Sequence, residues 1–197
     1  MTQQTNSAPI PVGRIRLEGV RLSFADIFVA RPFKPGDDPK FKATFLIPKG
    51  SALEKAVWEK IRRVASDSPK WKGANVDAVL KSIQHNPNKF CFQDGDSKTY
   101  EGYAGMMALT ARNDVRPTVI DRNRAPLVAA DGKVYAGCYV NASIELFAYD
   151  NTGKGISATL RGVQFDKDGE AFTGGGTASE DEFDDISTGA DADAEFA

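Results

Sequence analysis

The stretch Val134-Tyr-Ala-Gly-Cys-Tyr-Val-Asn-Ala-Ser-Ile-Glu-Leu-Phe-Ala-Tyr149, followed by Asp150-Asn-Thr-Gly-Lys-Gly155 and Ile156-Ser-Ala-Thr-Leu-Arg-Gly-Val-Gln-Phe165, decides the fold class. Residues 134–149 alternate and are rich in β-formers, and residues 150–155 carry the Asn and Gly of a hairpin connection. Ile156, Ala158, Leu160, Val163 and Phe165 then supply the return strand. The apolar phase slips by one residue between Leu160 and Val163, which predicts a bulge near Gly162. Asp166-Lys-Asp-Gly169 makes one more turn.

Working back from this hairpin, the same period of two recurs. Ile15 and Leu17 share one phase, while Val20, Leu22 and Phe24 share the other, so a strand kinks at Gly19 and exchanges its buried face. Phe41, Ala43, Phe45 and Ile47 form a second strand that stops at Pro48, and Phe90 to Phe92 and Met106 to Thr110 read as further strands. Between the second strand and these, Ser51 and Glu54 form a capping-box signature, and Leu53, Val57, Ile61, Val64 and Ala65 recur at helical spacing up to Pro69. Val76, Val79, Leu80 and Ile83 predict a shorter second helix. Residues 31–40 and 93–105 are loops rich in Gly, Pro and Asp, and residues 112–126 read as polar and irregular. The pattern is mainly β with inserted helices. It fits a five-stranded Greek-key barrel of the OB type, in which closure consumes the strand edges and leaves long loops on one face; strand count leaves a β-sandwich open.

Charge divides the chain into unlike parts. The whole carries 25 Lys and Arg against 27 Asp and Glu, a net of -2. Residues 174–197 open on a triple glycine and hold eight of the acids and no base, so residues 1–173 carry +6 and the remainder -8. Such a segment has too little apolar surface to offset the entropy of ordering it, which predicts a flexible acidic C-terminal tail. Residues 1–12 read as a disordered lead, leaving 13–173 as a single domain. A basic body suits a polyanionic partner. Cys91 and Cys138 form no spaced pair and His85 is the one histidine, so neither a disulfide framework, a His-based metal site nor a Ser/His/Asp triad is indicated. No apolar run reaches membrane-spanning length and the N-terminus has no secretory core, which predicts a soluble, cytoplasmic protein with no membrane partner.

A site for unpaired nucleic acid needs cations to follow phosphates and flat rings on which bases stack. Arg31, Phe33, Lys34, Lys40, Phe41 and Lys42 mix both across the first loop, and Tyr100 and Tyr103 stand in a Gly-rich loop with little core to fill. Trp71, between Lys70 and Lys72, is a further candidate platform, and Arg112, Arg116, Arg122 and Arg124 follow in the irregular segment. Against this, Phe33 and Phe41 can be core residues and the arginines scattered surface charge. Asp94, Asp96 and Glu101 could hold Mg²⁺ for phosphodiester cleavage, although Asp-Gly-Asp is also ordinary turn chemistry. The readings in play are therefore a nucleic-acid binder, a protein-interaction module that never touches nucleic acid, and a Mg²⁺-dependent nuclease.

Four stretches together carry a resemblance: Phe41-Lys-Ala-Thr-Phe-Leu-Ile-Pro-Lys49, Asp94-Gly-Asp with Tyr100-Glu-Gly-Tyr103, Gly137-Cys-Tyr-Val-Asn141, and Phe147 to Ser157. With the tail, the chain resembles the bacteriophage single-stranded DNA-binding proteins that have an OB fold and an acidic C-terminal tail. The resemblance implies a non-enzymatic protein without cofactor or metal that coats and protects single-stranded DNA during replication, recombination and repair in the bacterial host cytoplasm. For such a protein the loop cations and rings named above make the expected DNA contacts: Arg31, Lys34, Lys40, Lys42, Trp71, Lys72, Tyr100, Tyr103, Arg112, Arg116, Arg122 and Arg124. The opposed charges of body and tail further suggest that the tail competes for the DNA groove as an intramolecular polyanion; the resemblance implies that the displaced tail contacts other proteins. Phe183, Asp184, Asp185 and Phe196 would meet replication proteins such as a polymerase, helicase or recombination factors, with room for a homodimer.

Overall fold

In the computed structural model, which describes residues 10–172, the chain runs β1 (Arg14–Arg31), β2 (Lys40–Pro48), α1 (Ala52–Ser66), α2 (Val76–Ile83), β3 (Phe92–Asp94), β4 (Met106–Asn113), β5 (Thr118–Ile120), β6 (Tyr139–Asp150) and β7 (Lys154–Lys167). The acidic tail, with Phe183, Asp184, Asp185 and Phe196, and most of the N-terminal lead lie outside the described residues. β6 and β7 form the expected antiparallel hairpin. Its register shifts between Ser143↔Gly162 and Ile144↔Leu160, so Arg161 is the extra residue of the anticipated bulge. Val140, Ala142, Ile144, Leu146 and Ala148 face inward, as the alternation requires.

β1 pairs with β6 and breaks register between Leu17 and Val20, where Gly19 takes a φ of +60° that few other residues tolerate. β1 then pairs with β2, and β2 with β4, all antiparallel. The ring closes where β4 meets β7 in parallel at Arg112↔Thr159, which makes a closed five-stranded barrel rather than a sandwich. The closing contact is short, and other segments fill the splayed seam on either side. On one side Phe90 bridges Ile156, with Cys91 N donating to Ile156 O (3.1 Å) and Ile156 N to Lys89 O (2.8 Å). On the other, β5 pairs in parallel with β7 from Thr118↔Gly162 to Ile120↔Gln164. The segment expected to be irregular thus contains the end of β4 and all of β5. A three-residue strand carries no period of its own and exists because β7 offers it an edge.

Leu17, Leu22, Phe45, Ile47, Leu109, Ile144 and Leu160 are fully buried inside the barrel. α1 begins as anticipated, with Ser51 Oγ accepting from Glu54 N at 3.1 Å and the Glu54 carboxylate accepting from Gly50 N at 2.6 Å. Its Val57, Ile61, Val64 and Ala65 are buried against the barrel, each large side chain contributing about 1.5–3 kcal/mol. Trp71 must be reassigned. It is 2% exposed, and its Nε1 donates to Tyr149 O at 2.9 Å, so the ring is core and only Lys70 and Lys72 beside it reach solvent. Among the described residues no helix is long and apolar enough to cross a membrane.

Candidate nucleic-acid interface

The outer faces of β2 and β4 form the floor of a groove of about 400 Å³. Alternation inside each strand sends Ala43, Phe45, Leu109 and Ala111 inward and leaves Lys42, Thr44, Thr110 and Arg112 outward. Register sets Lys42 opposite Arg112 and Thr44 opposite Thr110, whose hydroxyls hydrogen-bond at 3.0 Å. The floor is therefore short and polar, with two cations at one end. Lys89, Lys98 and Tyr149 also line the groove, and Lys89 Nζ reaches Thr152 O at 2.7 Å.

Apart from Tyr149, the rings come from places where the strands depart from regularity. Period-two phase predicts that Phe24 points inward with Val20 and Leu22. Instead β1 shifts register between Ser23 and Asp26, and Phe24 adopts a φ of +48°, a left-handed conformation costing a bulky residue on the order of 1–3 kcal/mol. That turns the ring outward, 45% exposed, with its centroid 4.9 Å from Tyr100 in an edge-to-face arrangement. Tyr100 is 52% exposed and 5.3 Å from Tyr103. Tyr103, expected as an exposed platform, is 3% exposed; its hydroxyl donates to Ser23 Oγ at 3.2 Å, and burial pushes its phenol pKa up. It supports Phe24 and Tyr100 from below and presents little face of its own.

Phe33, two-thirds exposed in the β1–β2 loop, is no core residue. The Arg112 guanidinium lies 5.5 Å from its centroid, with Lys42 at 5.9 Å and Lys34 at 6.0 Å, so one ring gathers three of the expected cations. Arg31 and Lys42 both reach Asp26 (3.4 and 3.6 Å), and Lys40 pairs with Asp114 at 2.9 Å. These ion pairs are exposed or partly so and exchange readily with phosphates.

The later arginines stand elsewhere. Arg116 lines a second cleft, of about 690 Å³, across the β4–β7 seam. Arg122 and Arg124 lie in the turn after β5 and line neither groove nor cleft, although Arg122 O accepts from Gln164 Nε2 at 3.4 Å beside the cleft. Lys72 likewise lines neither. Sequence reasoning missed Phe24, Lys89, Lys98 and Tyr149. The signal for Tyr149 was present, because the inward phase of β6 leaves Phe147 and Tyr149 outside. Phe24 gave none, since its own phase pointed inward.

Asp94 and Asp96 meet a lysine. Lys49 Nζ lies 2.5 Å from a carboxylate oxygen of each, and Asp96 also accepts from Gly105 N at 2.6 Å. The hydrogen bonds from Lys49 hold both carboxyls below the ordinary carboxylate range and push the lysine up. The Lys49 ammonium bridges the two carboxylates, so these acids staple the loop that carries Tyr100. Among the described residues no group of three or more metal-ligating side chains is assembled.

Comparison with known proteins gives this geometry a context. The family model described as Enterobacter phage Enc34, ssDNA-binding protein, matches residues 13–196. A putative protein, p50, of Acyrthosiphon pisum secondary endosymbiont phage 1 is 50% identical over 175 residues, covering 88% of this chain and 94% of its own. The single-stranded DNA-binding protein from bacteriophage Enc34, solved in complex with ssDNA, superposes with a TM-score of 0.68 at 27% identity over 81% of this chain and 89% of that one. The bacteriophage T7 single-stranded DNA-binding protein gp2.5 shares the fold, with a TM-score of 0.53 at 12% identity over 84% of this chain and 98% of its own.

Proposed function

The chain belongs to the Enc34 phage ssDNA-binding protein family, and from that premise we propose that it coats single-stranded DNA without regard to sequence, holding it in the groove on β2 and β4. The observation that carries this reading is the cluster of exposed rings, Phe24, Tyr100 and Phe33, set among Lys42, Lys98 and Arg112. Stacking accepts any base because every base has a π-face, and the cations follow the phosphates. Arg31, Lys34 and Lys40 extend the positive rim. The protein acts by binding, in the host cytoplasm, and protects strands exposed during replication, recombination and repair. A gel shift with a short oligonucleotide tests this: retardation that weakens with salt is expected, and no retardation at low salt favours the protein-interaction module. Shortening of the oligonucleotide on adding Mg²⁺ favours the nuclease.

The acidic tail competes for the same groove and, once displaced, offers Phe183, Asp184, Asp185 and Phe196 to replication proteins. What supports the competition is where the body ends. Phe172 packs over the Arg21 guanidinium at 4.3 Å and against Gly102, so the chain leaves the domain beside the loop that carries Tyr100. A polyanion tethered there has a high effective concentration at the groove. Removing residues 174–197 should tighten binding several-fold at low salt, an effect that shrinks as salt rises. Unchanged or weaker affinity rules the competition out.

A further inference from the structure

The second cleft belongs to a different chemistry from the groove. Arg14 and Arg16 enter from β1, Arg161 from the bulge of β7, and Arg116 from the turn before β5. No carboxylate and no aromatic ring is among its lining residues. Glu145, just outside, holds Arg14 at 3.1 Å and Arg161 at 3.9 Å, one acid for two arginines. Arg116 has no ion pair among the described residues; its guanidinium lies 5.8 Å from the Phe28 centroid. The buried Nε of Arg14 has no hydrogen-bond partner, a donor whose desolvation is uncompensated until an acceptor arrives. The amides of Asn113, Asn141 and Gln164 are spent on the walls, bonding Leu160 O, Gly19 N and the turn at residues 121–122. Arg16 carries only an exposed ion pair to Glu18 at 3.2 Å, which a phosphate can exchange, so what remains to meet a ligand is chiefly guanidinium, a fork suited to phosphate oxygens, beside the Thr118 and Ser143 hydroxyls.

The cleft and the groove border neighbouring residues of the same two strands. Arg112 lines the groove and sits at the single β4–β7 crossing, and the next residue, Asn113, lines the cleft. On β7, Ser157 belongs to the groove and Arg161 to the cleft, with Thr159 outward between them. We propose that a single strand leaving the aromatic groove crosses the barrel seam over Arg112 and Thr159 and lays its phosphates in this arginine cleft, a second subsite that grips backbone without stacking bases. The idea rests on the groove being the primary DNA site. A polyanionic peptide such as the acidic tail fits less well, because the cleft offers no ring or deep apolar pocket to Phe183 or Phe196.

The test compares two oligothymidines, one of about five nucleotides that fills the groove and one of about fifteen that can reach the cleft, a span within the range of one OB fold. In the full-length chain, the Arg116→Gln/Arg161→Gln double variant should bind the short strand as wild type does. It should bind the long one on the order of tenfold more weakly at low salt, with a log–log salt slope shallower by about 1.4. Arg116→Lys/Arg161→Lys should restore the slope, and equal melting temperatures guard against misfolding. Equal losses on both lengths, or none on either, overturn the subsite. A gain in affinity would mean that the cleft holds the tail, and overturns it too. Failure of wild type to bind either strand would instead sink the groove reading on which this one stands.

Discussion

The groove and the arginine cleft flank one strand crossing, Arg112↔Thr159, yet they are made of opposite materials. On the groove side, rings stand outward because the backbone departs from regular strand: at the Phe24 bulge, in the stapled 94–105 loop, and in the β1–β2 loop with Phe33. On the cleft side Arg14 and Arg16 come from regular outer strand face, while Arg161 sits in the β7 bulge and Arg116 in the turn before β5. The difference teaches that gathering Phe24, Tyr100 and Phe33 over one short floor takes irregular backbone, whereas a regular strand such as β6 contributes the single ring of Tyr149 to the groove by simple alternation. Phosphate contacts have no such need, because a guanidinium on a flexible stem can extend from any strand position. A mixed path, rings first and charges after, is what such a barrel can offer with least distortion.

The sharpest way to break this contrast is to remove the rings. Phe24→Ala with Tyr100→Ala should lower affinity for a short oligothymidine by about 100-fold or more, each stack contributing on the order of 1–3 kcal/mol. The salt slope should stay as it was, since no cation is lost. Fluorescence anisotropy titrations at several salt concentrations measure both. A small loss accompanied by a changed slope would mean that the groove, like the cleft, works through charge.

A smaller effect separates platform from support. Tyr103→Phe deletes only the hydroxyl bonded to Ser23, which should cost about 1 kcal/mol of stability by thermal unfolding and leave affinity within about twofold. A tenfold loss of affinity at unchanged stability would move Tyr103 from beneath the rings to the binding surface.

Much of this was legible because it was local. The β6–β7 hairpin, its bulge at Arg161, the kink at Gly19 and the Ser51 cap each follow from spacing within a few residues. The cations around Phe33 were legible as well, since one loop and the strand after it carry most of them. What escaped depends on contacts distant in sequence. Closure at Arg112↔Thr159 decides barrel against sandwich and joins residues 47 apart. Trp71 looked like a platform between two lysines, but a carbonyl on β6 receives its indole. Arg112 and Arg116 are four residues apart and belong to different subsites, because β4 ends between them and the chain turns across the seam. Phe24 is the clearest failure of phase, as a single left-handed residue reversed its face.

A pH-dependent effect concerns the staple beneath Tyr100. Asp94 and Asp96 are held below their ordinary range by Lys49, so their contribution to loop order is complete at neutral pH and is lost as pH falls through those depressed values. Lys49 is pushed up by the same bonds, so its contribution persists until pH rises past the raised value. Between these limits the loop should be indifferent to pH. The Gly105 amide, which donates to Asp96, reports on it directly: its hydrogen-exchange protection should hold across the neutral range and disappear only in acid, below the ordinary carboxylate range. Lys49→Met removes the partner that depresses the carboxyls, so the acid loss should begin at a higher pH, and affinity for a short strand should fall a few-fold as Tyr100 loses its fixed position. Because Lys49 lines neither subsite, an affinity loss with unchanged Gly105 protection would mean that the lysine acts on DNA through its charge and that the loop needs no staple.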